Sequence, residues 1–369
     1  MQQTILRTFI IGLCSVVSVA VASAQSKPEG RTAPRGPFLF LEDDKISLKP
    51  DGSYLFQHTD SDLVFEAQIA PDVRIVDNFR GALGDALDSK RRHFAYTVFG
   101  TFLTRLRMFD EDSNPVRTPS YMPKATIQLA WMKNVSDRDS EAEPVEFIKG
   151  PIEMWLVNVI PFGHHSNGQN GCLFLQQARI DGECQPQPPP STNPEDVNRE
   201  NGSFSTNYLR MGLEYRRMYL VGDYPDELRA VSQREWGIAG SLELNPSGYI
   251  GGSISDTLRP LYGPTRYRIT ADVVAGNWRF PVLRKVNCGR AWTDASLTFI
   301  TGAAPTVDTV ATSIEAACLP EGWGGAGLFV RYYRGQDYYN AAFLENINRL
   351  QFGLTFLQGK FLAFTRKGS

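Results

Sequence analysis

Beyond its first two dozen residues the sequence lacks any run of about 18 apolar residues, so a helix crossing a bilayer is excluded from the body of the chain. It also lacks a basic block, with 38 basic residues against 40 acidic ones, which sets nucleic-acid binding aside. No C-x-x-C pair is present, so the usual zinc clusters have no ligands to start from. No internal repeat is visible either, which removes stacked-repeat architectures.

What the first residues do hold is an export signal. Arg7 precedes an apolar run from Phe9 to Ala22, and Ala22-Ser23-Ala24 has the small-x-small form cut by signal peptidase. Residues 1–24 therefore read as a signal peptide, with the mature chain starting near Gln25. Leu13 stands where a lipoprotein signal has a small residue, which argues against lipidation of Cys14. Loss of Arg7 leaves 37 basic against 40 acidic residues, a net charge near −3, on a mature chain of 345 residues. Four cysteines remain, Cys172, Cys184, Cys288 and Cys318. An even number in an exported chain predicts two disulfides, and sequence proximity favours Cys172–Cys184 and Cys288–Cys318.

From Gln25 to about Gly52 the chain is rich in Pro, Gly, Lys and Arg and reads as an extended arm or plug segment rather than a helix. From residue 53 to 369 the dominant signal is alternation with period two. Leu63, Phe65, Ala67 and Ile69 alternate with Asp62, Val64, Glu66 and Gln68; Ala125, Ile127, Leu129 and Trp131 alternate with Thr126, Gln128 and Ala130. The rhythm returns at Leu209–Tyr215, Tyr267–Val273 and Leu350–Phe356. Strict alternation over length after length predicts half-buried strands. Soluble sandwiches alternate too. Two features point instead to a membrane. His93–Met108 and Ile152–Ser166 are longer than sandwich strands, whereas about 9–11 residues cross a bilayer at the usual tilt. Aromatics also cluster near segment ends, at Tyr332-Tyr333, Tyr338-Tyr339 and Trp323, where an interfacial girdle would stand. With roughly twelve segments, the fold class is all-β: an antiparallel transmembrane β-barrel, the only architecture left for a spanning chain without apolar helices. Residues 171–202, with Pro186 to Pro190 and a polar stretch, form one long loop.

One stretch carries chemistry: Gly163-His164-His165-Ser166-Asn167-Gly168-Gln169. On a strand, His164 and Ser166 share a face and His165 turns the other way, which is the geometry a serine nucleophile and its general base need. Counting back in twos from Ser166 gives His164, Phe162, Ile160, Asn158, Leu156, Met154 and Ile152, an apolar face broken only by Asn158. Pro161 marks a bulge on this count but leaves the phase of Phe162, His164 and Ser166 unchanged. A nucleophile on an apolar outer face suits a lipid substrate. A bare His-x-Ser triplet also suits an ordinary polar loop.

Further motifs raise the first reading. The run His164-x-Ser166-Asn167-Gly168, followed by Ser203-x-Ser205-x-Asn207, resembles the bacterial outer-membrane phospholipases A (the phospholipase A1 family), which carry His-x-Ser-Asn-Gly and then Ser-x-Ser-Trp-Asn. Ser113-x-Pro115-x-Arg117-x-x-x-Tyr121-x-Pro123 follows that family's pattern upstream. Tyr332-Tyr333-Arg334-Gly335-Gln336 and Asn348-Arg349-Leu350-Gln351-Phe352-Gly353 are similar to its last hairpin. The chain differs from the family at Thr206, which replaces Trp, at Gln169, where Arg is common, in the longer loop between the motifs, and at its last residue, Ser369.

The resemblance implies a twelve-stranded barrel of the outer membrane that hydrolyses phospholipid acyl esters. Ser166 would be the nucleophile, His164 the general base and Asn207 the group that orients the imidazole, with Asn193 as the alternative third member. It further implies an active homodimer with Ca2+ held by the Ser203 hydroxyl, the Gln169 carbonyl and Ser113 of a second subunit, while the Gly168 N–H and a calcium-bound water form the oxyanion hole. Independently of the family, Asn207 is in phase with Leu209, Met211, Leu213 and Tyr215, so it belongs to an apolar outer wall as well. Two other readings stay open: a lipid A deacylase, and a non-catalytic barrel that binds or conducts.

Overall fold

The computed structural model describes residues 53–356 apart from 59–62, 110–115, 136–147, 182, 186–192, 222–230, 251–253, 257, 280–286, 321–322 and 324–325. The signal peptide, the arm before residue 53 and Ser113 lie outside the described residues.

Fifteen strands are present among the described residues. They are β1 (Ser53–His58), β2 (Leu63–Ile69), β3 (Asp72–Asp77), β4 (His93–Phe109), β5 (Ser120–Asn134), β6 (Ile148–Ser166), the short pair β7 (Arg179–Ile180) and β8 (Glu183–Cys184), β9 (Ser205–Val221), β10 (Val231–Leu244), β11 (Gly263–Arg279), β12 (Asn287–Ala303), β13 (Val310–Pro320), β14 (Ala326–Gln336) and β15 (Asn346–Phe356). Thirteen form one antiparallel sheet in which neighbours in space are nearly always neighbours in sequence. β1 pairs with both β15 and β2, and β2 pairs with β4, so the ladders lead from β4 round to β4 again. β2 and β3 lie end to end along one side of β4, from Leu63 opposite Phe109 to Asp77 opposite Thr97. Pro71, which has no N–H to give the ladder, falls between them. Counted as positions round the wall the two are one strand, and the barrel has the twelve positions expected.

The alternation resolves into an outside and an inside. Phe94, Trp131, Trp155, Leu213, Ile238, Ile269, Val330 and Phe352 all stand exposed on the outer wall. A contiguous apolar exterior of this kind is a surface for lipid rather than water. Inside, charges are buried in groups that neutralise one another, as burial of a charge requires. Arg107 donates to Glu66 at 2.6 Å and, with both terminal nitrogens, to Asp337 at 2.6 and 2.9 Å. Arg216 reaches Glu214, Glu235 and Asp272. Tyr333, Tyr338 and Tyr339, expected in an outer girdle, belong to this interior: the Tyr338 hydroxyl bonds Glu66 and its ring lies 4.3 Å from the Arg105 guanidinium, the Tyr333 ring stands edge-on to it at 4.8 Å, and Tyr339 is buried. Trp323 and Tyr332 are exposed as expected.

A helix, Phe79–Asp88, stands outside the alternation. Phe79, Ala82, Leu83 and Ala86 recur at helical spacing and form one apolar stripe. That stripe packs against Ala95, Ala130, Met132, Ile152, Met154, Leu156 and Met218, on the inner faces of β4, β5, β6 and β9. Each large side chain buried here contributes roughly 1.5–3 kcal/mol. The lumen is therefore apolar at this end and charged further along.

At the opposite end a second cluster gathers Leu173, Phe174 and Val197 of the 171–202 loop with Phe204, Ile254, Leu261, Phe343 and Leu344. Both expected disulfides are present. Cys172–Cys184 holds the β7–β8 hairpin to the base of the loop, and Cys288–Cys318 joins neighbouring strands β12 and β13.

Candidate active site

β6 carries the candidate pair, and it does so by breaking its own register. Ile160 lies opposite Arg210 on β9, but Gly163 lies opposite Tyr208; on the other side Val159 is opposite Ile127, but Phe162 is opposite Ala125. One extra residue of β6 is thus accommodated against both neighbours, around Pro161. The consequence corrects the count made from the sequence. Ile152, Met154 and Leu156 point into the barrel, under the helix, and Asn158 accepts from Gln128 at 2.9 Å inside the wall. Beyond the bulge the phase is inverted: His165 is buried, its ring 5.1 Å from that of Phe204, and His164 and Ser166 take the outer face. Period two could not reveal this because Trp155, Val157 and Val159 make the other face apolar as well.

The bulge is fastened from both sides. On the inside the Tyr208 ring lies directly over Gly163, so that a Cβ there would come within 2.2 Å of a ring carbon; only glycine fits. On the outside the Tyr249 hydroxyl donates to the Pro161 carbonyl at 2.5 Å.

Across the ladder His164 pairs with Asn207, and the Nδ1 of His164 lies 2.6 Å from the Oδ1 of Asn207. The Asn207 Nδ2 donates to two backbone carbonyls, those of Tyr249 at 2.8 Å and Ile250 at 3.1 Å. Carbonyls only accept, so the amide nitrogen must face them and Oδ1 must face the imidazole. The imidazole proton is therefore on Nδ1, and Nε2 carries the lone pair. Asn207 is in phase with exposed Met211 and Leu213 yet is 1% exposed itself, because the turn Ser247–Ile250 covers it. In that turn Ile250 has φ 49°, a left-handed conformation that costs a β-branched residue about 1–3 kcal/mol unless its surroundings hold it.

The turn after Ser166 is held by Asn167, whose role the sequence reading missed. Its Nδ2 donates to the Gly202 carbonyl at 2.6 Å, and its Oδ1 accepts from the N–H groups of Phe204 and Gln169. An Asn next to a glycine is a turn signature that could have flagged it. Gly168 follows at φ 67°, exposed, with its backbone turned as only glycine takes easily. Gln169 and Ser203 come onto adjacent segments, since the Ser203 N–H donates to the Gly171 carbonyl at 2.8 Å. Both supply oxygen donors, which fit a hard cation such as Ca2+. No group of three or more His, Cys, Asp or Glu suited to a metal exists among the described residues.

Asn193, the alternative third member, instead caps a short turn, its Oδ1 accepting from the Glu195 N–H. Thr206, buried, donates inward to Asn245 and leaves the outer face alone. Leu173, Phe174 and Val197 of the long loop pack at the end of the lumen, beside Phe204, while Leu175 and Ile180 are exposed.

No protein-family model matches the chain, and no curated protein matches it in sequence. Among solved structures, the outer membrane phospholipase A from Escherichia coli has 13% identity with it, covering 84% of this chain and 98% of that one, at a TM-score of 0.41. The Salmonella typhi outer membrane phospholipase, a dimer with bound calcium, has 13% identity, covering 86% and 95%, at 0.41. A porin of Rh. blastica has 10% identity, covering 83% and 97%, at 0.24.

Proposed function

We propose that this chain is a phospholipase A of the bacterial outer membrane, a carboxylic ester hydrolase working from the lipid-facing side of its barrel. The observation that carries the reading is the Asn207 amide, fixed by two carbonyls, which presents Oδ1 to Nδ1 of His164 on an apolar outer wall. The motif resemblance set out above supports the same assignment.

The chemistry follows from that tautomer. Nε2 of His164 takes the Ser166 hydroxyl proton as Oγ attacks the acyl carbonyl of a phospholipid. The Gly168 N–H lies two residues on, at the turn, to donate to the developing oxyanion. The imidazolium then protonates the leaving lysolipid alkoxide, giving an acyl-enzyme. Water, deprotonated by the same Nε2, releases the fatty acid and restores Ser166. Asn207 is neutral, so it fixes the ring and its tautomer but stabilises the imidazolium less than a carboxylate would.

A calcium ion would be held by the Gln169 carbonyl, the Ser203 hydroxyl and Ser113 of a second subunit. When bound, it supplies positive charge beside the oxyanion. Dimerisation would then complete the site.

The test is fatty-acid release from phospholipid in mixed micelles by the purified barrel, with calcium and with a chelator, beside lipid A as a second substrate. Calcium-dependent release from phospholipid, lost in Ser166→Ala, is the expected result. Deacylation confined to lipid A would favour a lipid A deacylase, and a folded barrel that hydrolyses neither substrate would be a binding or conducting one.

A further inference from the structure

The turn between β10 and β11 does more than cover Asn207. Tyr249 bonds at both of its ends: the hydroxyl to the Pro161 carbonyl on β6, and the carbonyl to the Asn207 amide on β9. Pro161 sits at the bulge, where its carbonyl falls outside the regular β6–β9 ladder and needs another donor. Ile250 adds the second carbonyl to Asn207 from a left-handed backbone that a β-branched residue seldom takes. The turn is therefore braced between the strand of His164 and the amide that His164 touches.

We propose that Tyr249 is a positioning residue of the His164–Asn207 pair, its hydroxyl anchored on β6 and its carbonyl, with that of Ile250, setting which way the Asn207 amide faces. The inference rests on the catalytic reading given above. Its chemical content is a choice of tautomer. An asparagine amide can rotate end for end at little cost in shape. If the two carbonyls move away, Asn207 can turn its NH2 toward His164, and Nδ1 must then accept. The proton moves to Nε2, which no longer has a lone pair for the Ser166 hydroxyl. One outer-surface tyrosine thereby holds the base ready without touching substrate.

Tyr249→Phe removes the anchor and keeps the ring and the carbonyl. It should lower kcat by about tenfold, as a small misplacement of catalytic groups does, with KM within about twofold and the heat-resistant barrel intact. The decisive comparison is a double-mutant cycle with Asn207→Ala. Because Tyr249 acts through Asn207, the second substitution should cost nothing further in the Asn207→Ala background. An equal loss in both backgrounds, or no loss in the wild-type background, would overturn the proposal. Imidazole 15N spectra, with the His164 signal assigned by His164→Ala, supply a readout independent of turnover. The wild-type ring should be the Nδ1–H tautomer and the Tyr249→Phe ring a mixture; an unchanged pure Nδ1–H ring would also overturn it. If the wild type released no fatty acid, the catalytic reading would fail while the spectra still decided what Tyr249 does.

Discussion

Ile152 and His164 lie an even number of residues apart on β6, yet the first points into the barrel and the second faces out. The inversion happens at the bulge around Pro161, and it is why a strand whose lower half packs against a lumenal helix can present a histidine and a serine to lipid at its upper end. Gly163 holds that bulge because the Tyr208 ring occupies the space a Cβ would need.

Gly163→Ala should therefore cost both stability and activity. Overpacking of this kind destabilises by about 1–3 kcal/mol, and the shift it forces lies next to His164. Adding Tyr208→Ala removes the clash and should recover part of the lost activity. Thermal unfolding of the three variants, with ester hydrolysis assayed in parallel, checks this; Gly163→Ala behaving as wild type would contradict the bulge account.

Arg216 is fully buried among Glu214, Glu235 and Asp272. Arg216→Met should destabilise the barrel by about 3–5 kcal/mol, because it leaves carboxylates without their counter-charge. Unfolding midpoints in denaturant are the measurement. The site is not expected to change its rate constants at temperatures where the variant stays folded.

The strand plan was legible because alternation survives in nearly every segment: the runs at Leu63, Ala125, Leu209, Tyr267 and Leu350 all fall within strands, and the twelve expected positions are found once β2 and β3 count as one. Both disulfides followed from spacing alone. The helix Phe79–Asp88 was not legible, since its stripe is short and two glycines weaken its propensity. The phase read from the sequence was right at His164, Ser166 and Asn207 but wrong at Ile152–Ile160. An apolar strand face reads the same whether it meets lipid or a helix inside the barrel. The bonds that hold Asn207 come from backbone carbonyls of Tyr249 and Ile250, and a carbonyl leaves no mark on residue type.

If the proposed calcium ligands are shared between subunits, hydrolysis should fall on dilution in detergent, in step with loss of cross-linked dimer, and should fall again with a strong chelator. Ser203→Ala should raise the calcium concentration needed for half-maximal rate by about tenfold, having removed one of few oxygen ligands. Full activity from a species sized as a monomer, in chelator, would remove calcium and dimerisation from the account and leave the His164–Asn207 pair untouched.

The most direct measurement of the central claim is covalent capture of the nucleophile. The folded barrel is treated with a lipophilic sulfonyl fluoride, and the modified peptide is found by mass spectrometry. The account predicts a single adduct on Ser166, lost with His164→Ala, slowed by Asn207→Ala and indifferent to Asn193→Ala. Ester hydrolysis that persists in Ser166→Ala, or an adduct on another serine with Ser166 untouched, would contradict it.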